Sequence, residues 1–259
     1  MKYLSICFLT ALMALLFHSC KKDETKVVMN NNKPVLSSSS TGPLVLSKEN
    51  EGLQAVTLSW NNVDYGFSDA LKYTLQVSAT DDFKQVAELS VAKADLKTVL
   101  SVKMLNAALL KITKPGQTQS FSFRLKSDVG NVVSNVVKMV ITSYLDVIYP
   151  LPARLFMVGS ATPGGWSNPV PDNQELTLDK DAPGVYKITV TLTGGGSYLF
   201  LPVNGSWDPK YGFDGDNNKN NSLGDNFKPG GGDIMAPAAT GAYEIRVDFV
   251  TGKFSLTKQ

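Results

Sequence analysis

Gly241 to Lys258 read GAYEIRVDFVTGKFSLTK, and this stretch decides the fold. Tyr243, Ile245, Val247 and Phe249 alternate with polar residues, so they share one face of a strand. Thr251-Gly252 supplies a turn, and Phe254 and Leu256 continue the apolar pattern on the way back. The segment therefore reads as a terminal β-hairpin. Working outward, Gly184 to Leu192 (GVYKITVTL) sets Tyr186, Ile188, Val190 and Leu192 against Val185, Lys187, Thr189 and Thr191. RLFMVGS, from Arg154, is a further strand, and ATPGGW closes it with a turn ending in Trp166.

Between these strands lies Tyr198 to Phe213, YLFLPVNGSWDPKYGF. Tyr198, Phe200 and Pro202 occupy one face of a strand, with Leu199, Leu201 and Val203 on the other. Asn204-Gly205 is a turn signal, because both residues tolerate positive φ. Trp207, Lys210 and Tyr211 follow, interleaved with Asp208 and Pro209. Aromatic rings among turn formers suit a binding loop, where a flat apolar surface stacks on the C–H face of a sugar. The neighbouring polar groups then meet its hydroxyls. The competing reading makes Trp207 a cap on the sandwich core and Tyr211 loop packing.

The first half of the chain has the same texture. VTLSW (Val56 to Trp60), LKYTLQVSAT (Leu71 to Thr80), FSFRLKS (Phe121 to Ser127) and VVKMVIT (Val136 to Thr142) are strands, the second with Leu71, Tyr73, Leu75 and Val77 on one face. VKMLNAALLKI (Val102 to Ile112) has helical spacing and predicts one or two turns. About 100 residues of such strands fit a fibronectin-III or immunoglobulin-like sandwich, with Trp60 in its core. Tyr144 to Pro152, YLDVIYPLP, marks the boundary to the second unit. The expected organisation is a signal peptide over 1–19, a lipidated cysteine and flexible stalk over 20–42, and a spacer sandwich over 43–144. A linker over 145–152 and a second sandwich over 153–259 complete it. The fold class is all-β, two tandem β-sandwiches.

The first residues carry a different signal. Lys2 precedes an apolar run from Leu4 to Phe17, too short to span a membrane, and Phe17-His18-Ser19-Cys20 is similar to a bacterial lipobox. Cleavage before Cys20 and acylation of its thiol would anchor the chain through lipid. Residues 21–42, KKDETKVVMNNNKPVLSSSSTG, lack the apolar residues needed for a core. Removing residues 1–19 takes away Cys7 and His18, the one histidine, and commits Cys20 to the lipid. Ser-His-Asp, Cys-His and His- or Cys-ligated zinc chemistry are then excluded. Lys+Arg falls from 25 to 24 against 23 Asp+Glu, and a net charge of +1 offers nothing to nucleic acid. No carboxylate pair is spaced as acid and nucleophile across a cleft.

A lipobox, a Ser-rich stalk, a fibronectin-like unit and a sandwich carrying GSATPGGW, LFLPVNGSWDPKYG, GDI and GAYEIRVDFVTGKFSLT together resemble the SusE/SusF group of starch-utilisation outer-membrane lipoproteins. The resemblance runs from Pro43 to the end, and residues 155–166 and the terminal hairpin are its most specific parts. It implies a non-catalytic glycan-binding protein, without cofactor, on the outer face of the outer membrane. There it would sit beside a TonB-dependent transporter and its partner lipoprotein. An alternative keeps the location but makes the chain a structural accessory that docks on the transporter without touching sugar. Relatives often carry two or three carbohydrate-binding sandwiches, and this chain has room for one. In that group two aromatics follow the curve of an α-glucan while Lys or Arg meets hydroxyls. The resemblance thus assigns Trp207 and Tyr211 as the aromatic pair, with Lys210 and Asp208 beside them. Trp166 is either a second platform or a wedge in the core. The polar loop Phe213 to Phe227 would rim the site. Asp214, Asp216, Asn218, Asn220, Ser222 and Asp225 also follow calcium-loop spacing, but Lys219 replaces the required glycine, and no metal is assigned.

Overall fold

A computed structural model describes residues 32–40, 42–64, 72–90, 96–128, 131–221 and 223–259. The expected signal peptide, Cys20 and the first part of the expected stalk lie outside the described residues, as does Leu71.

The first unit holds two facing sheets. One has β1 (Leu36–Ser38), β3 (Gln54–Trp60) and β6 (Lys97–Ser101), in the order β1-β3-β6. The other has β2 (Leu44–Val45), β8 (Val137–Thr142), β7 (Thr118–Ser127), β4 (Tyr73–Ser78) and β5 (Ala87–Ser90), in that order. Crossing from one sheet to the other between β3 and β4, β5 and β6, and β6 and β7 makes a fibronectin-III-like sandwich. Tyr73, Leu75 and Val77 of β4 join Phe121 and Phe123 of the neighbouring β7 in the shared core, where Trp60 of the facing sheet meets Tyr73 edge to face at 6.0 Å. The expected helix is α1 (Val102–Leu109), capped by Ser101, whose hydroxyl accepts from the Met104 N–H at 3.2 Å.

Part of the expected stalk belongs to this sandwich. Leu36 to Ser38 pair with Trp60 to Leu58, and Leu36 is buried. β1 is an edge strand with one inward residue, so the serines show no apolar alternation. Two of their hydroxyls bond the neighbouring strand: Ser37 Oγ donates to the Ser59 carbonyl, and Ser39 Oγ accepts from the Thr57 N–H.

The second unit contains β9 (Leu155–Val158), β10 (Glu175–Leu178), β11 (Val185–Leu192), β12 (Ser197–Leu201), β13 (Tyr211–Phe213), β14 (Asp225–Pro229), β15 (Ile234–Met235), β16 (Gly241–Asp248) and β17 (Lys253–Lys258). The order β13-β14-β17-β16-β11-β10-β9-β12 closes on itself, because Phe200 of β12 also pairs with Tyr211 of β13. β10 and β14 are the corners. Glu175 and Leu176 pair with β9 while Thr177 and Leu178 pair with β11. Asp225 and Asn226 pair with β17 while Phe227 onward pairs with β13. The result is two sheets joined at both edges, which leaves few strand edges open. The expected hairpin is β16–β17, with Gly252 at φ 68° in its turn and Tyr243, Ile245, Val247 and Phe249 in the core.

The linker 145–152 is fastened on both sides. The buried Asn106 side chain donates to the Tyr144 carbonyl at 3.0 Å and accepts from its N–H at 2.9 Å, and Lys48 pairs with Asp146 at 2.8 Å. Ile148 N–H donates to the Phe249 carbonyl, Tyr149 packs 5.5 Å from Phe227, and the Tyr186 hydroxyl donates to the Pro152 carbonyl. The second sandwich therefore takes in Ile148 and Tyr149 and begins ahead of Ala153. A fragment 146–259 should melt several degrees above a fragment 153–259, at roughly 4–8 °C per kcal/mol for a domain of this size. Equal melting temperatures would show that Ile148 and Tyr149 contribute nothing to it.

Candidate functional site

Strands β9 and β12 are apolar on both faces. Tyr198 and Phe200 point into the main core, while Phe156, Val158, Leu199 and Leu201 form a second small core with Val170 on the opposite face. The chain after β9 crosses that outer face before reaching β10, and it carries Trp166 across. The loop after β12 carries Trp207. The two indoles lie together at the surface, 41% and 48% exposed, with ring centroids 6.3 Å apart and planes inclined by 48°.

Each ring stands on a locally fixed stretch. Around Trp166, the fully buried Gln174 accepts from the Gly164 N–H at 2.5 Å and donates to the Met157 carbonyl and to Thr162 Oγ1. A Cβ on Gly164 would lie 2.8 Å from the Gln174 oxygen, so the turn closes over Gln174 only with glycine there. Around Trp207, the Ser206 N–H donates to the Val203 carbonyl, with Gly205 at φ 89°, as the Asn204-Gly205 turn predicts. The Ser206 hydroxyl then donates to the Asp208 carbonyl and accepts from its N–H, which fixes the backbone on either side of Trp207.

Tyr211 is not the partner of Trp207. It is 8% exposed, in β13, with its ring 5.1 Å from Phe249, 5.7 Å from Phe227 and 6.1 Å from Tyr149. Burial raises its phenol above the usual tyrosine value. The Gly-Pro-Asp surroundings suggested a loop, but Tyr211 and Phe213 two residues apart are a strand signal, and β13 closes the ring of strands. Trp166 stands where Tyr211 was expected and is not a core wedge. Lys210 is half-buried and Asp208 exposed. Neither side chain has a hydrogen-bond or ion-pair partner among the described residues, so both are free to meet a ligand. The polar loop is tied up internally. Asp214 pairs with Lys228 at 2.8 Å, and Asp225 accepts from the Lys219 and Asn221 N–H groups and from Asn221 Nδ2. No metal-holding group of three His, Cys, Asp or Glu occurs among the described residues, and Ser222 lies outside them.

The family described as SusE outer membrane protein matches residues 22–126. That span runs from the residues just after Cys20 through β1 and most of the first sandwich. The match takes in 105 of the 259 residues, and the second sandwich lies outside it. No curated protein matches the chain. Among solved structures, SusF from Bacteroides thetaiotaomicron is similar over 87% of this chain at 13% identity and a TM-score of 0.45. This chain spans about half of that one, 52%. The FN1–FN3 domains of chicken CNTN1 are similar over 88% of this chain and 69% of their own, at 11% identity and a TM-score of 0.24. Such likenesses are loose, and the fold rests on the strand pairing itself.

Tyr211→Ala should cost about 3–5 kcal/mol of stability, as for other buried aromatics. A variant that keeps the wild-type melting temperature would return Tyr211 to the surface.

Proposed function

We propose that the chain is a non-catalytic, surface-anchored glycan-binding lipoprotein of a polysaccharide-uptake system, and that its ligand is starch or a similar α-glucan. The observation that carries this reading is the exposed Trp166–Trp207 pair. Two large, half-exposed rings side by side on locally fixed backbone, Trp166 over the buried Gln174 and Trp207 beside the Ser206–Asp208 bonds, make an apolar patch of the kind a ligand covers. Their inclination of 48° suits a chain that turns between successive sugars better than a flat ribbon. Asp208 and Lys210 add hydroxyl partners on the same loop. The lipobox ending at Cys20 would supply the anchor, and a TonB-dependent transporter with its partner lipoprotein would receive the glycan. Within this reading the first sandwich is a spacer, and no bond is made or broken.

Stacking plus a few exposed hydrogen bonds yields a dissociation constant of roughly 10 µM to 1 mM for one site. Many tethered copies on one membrane would hold a polymer by avidity. Calorimetry with maltoheptaose tests the site. Trp207→Ala and Trp166→Ala should each weaken binding by about 1–3 kcal/mol while shifting the melting temperature little, because neither ring belongs to a core cluster. Wild-type protein that ignores α-glucans and every other glycan on an array would favour the accessory that docks without sugar.

A further inference from the structure

Among the described residues, hydrogen bonds between the Trp166 loop and the Trp207 loop run only through asparagine side chains. Asn204 Oδ1 accepts from the Val170 N–H at 2.6 Å, and Asn204 Nδ2 donates to the Val170 carbonyl at 3.0 Å. Asn168 Oδ1 accepts from the Gly205 N–H at 2.8 Å. We propose that Asn204 is the positioning residue of this surface: its two-bond ring with Val170 sets the spacing and inclination of Trp166 and Trp207.

Trp207 is joined to Asn204 by a hydrogen-bonded turn, and Trp166 to Val170 by a segment whose start is pinned by Gln174. Both rings ride on short, stiff arms, and the arms meet at the Asn204–Val170 ring. A primary amide presents one acceptor and one donor side by side, as a peptide group does, so Asn204 pairs with Val170 as a neighbouring strand would. Removing the amide leaves the Val170 N–H and C=O without those partners and, among the described residues, leaves the single Asn168–Gly205 hydrogen bond between the arms, about which they can pivot. The small apolar core beneath still holds the loops on the sheet, so the fold survives while the ring geometry does not.

The spectroscopic test needs no ligand; only its affinity arm rests on the glycan reading. Two indoles this close and inclined couple their excited states and give a paired far-ultraviolet circular dichroism band. In the full chain, purified in a detergent without maltoside headgroups, Trp166→Phe and Trp207→Phe should each abolish that band and so assign it. Asn204→Ala should remove most of its amplitude, lower the melting temperature but keep one cooperative transition because Val170 loses two partners, and weaken maltoheptaose binding about tenfold with both tryptophans present. Should that variant fail to fold, Asn204→Asp keeps the bond from the Val170 N–H but turns an oxygen toward the Val170 carbonyl, and it must reduce the band. Wild-type amplitude in a folded Asn204→Ala or Asn204→Asp protein overturns the positioning role, whatever happens to affinity. A wild-type protein that shows the band but binds no α-glucan leaves the positioning role intact and removes the glycan reading instead.

Discussion

The second sandwich depends on one constraint: β9 and β12 must be covered on both faces. Their sequences, LFMV and the YLFL run, lack the polar alternation of Gly241 to Asp248, so no face of either strand is suited to water. The inner face is met by the main core. Among the described residues no second sheet meets the outer face, where Phe156, Val158, Leu199 and Leu201 cluster with Val170 from the segment between β9 and β10. Arg154 closes one margin, its guanidinium 4.6 Å above the Phe156 ring and held bidentately by Glu175. The crossing loop brings Trp166 to Trp207, so the surface pair is a by-product of covering a two-sided strand pair.

A loop laid over an apolar face must satisfy its own backbone groups, since water no longer reaches them. This protein repeatedly answers with asparagine. Asn135 closes a two-bond ring on Leu36, Asn106 on Tyr144, Asn218 on Met235 and Asn204 on Val170, in each case meeting both N–H and C=O of the partner. The partners are 99, 38, 17 and 34 residues away along the chain. Each ring ties an irregular segment to a distant part of the fold where strand pairing is unavailable. Low local dielectric makes such bonds strong when complete and costly when broken.

These devices mark the limit of what sequence reading reached. Long alternating strands such as β4, β7, β11, β16 and β17 were legible, because one face of each is core and the other solvent. β1 reads as stalk, since Leu36 is its one buried apolar residue, and β2, β5, β6, β10, β13, β14 and β15 are too short to show a period. Tyr211 was misplaced for the same reason, and with it half of the expected aromatic pair. The unbroken apolar runs of β9 and β12 already implied a cover on the outer face, a signal that would have raised Trp166 above Tyr211. The asparagine rings had no sequence signature: Asn204 read correctly as a turn former, but its partner is 34 residues away.

The central claim is that Trp166 and Trp207 form one ligand-facing surface while the third tryptophan, Trp60, belongs to a core. Indole N–H resonances of the nitrogen-15-labelled full chain, followed through a maltoheptaose titration, test it directly. The account predicts that the Trp166 and Trp207 signals move together along one binding curve and that Trp60 stays fixed. Movement of one of the pair without the other, or of neither while binding is measured elsewhere, would contradict it.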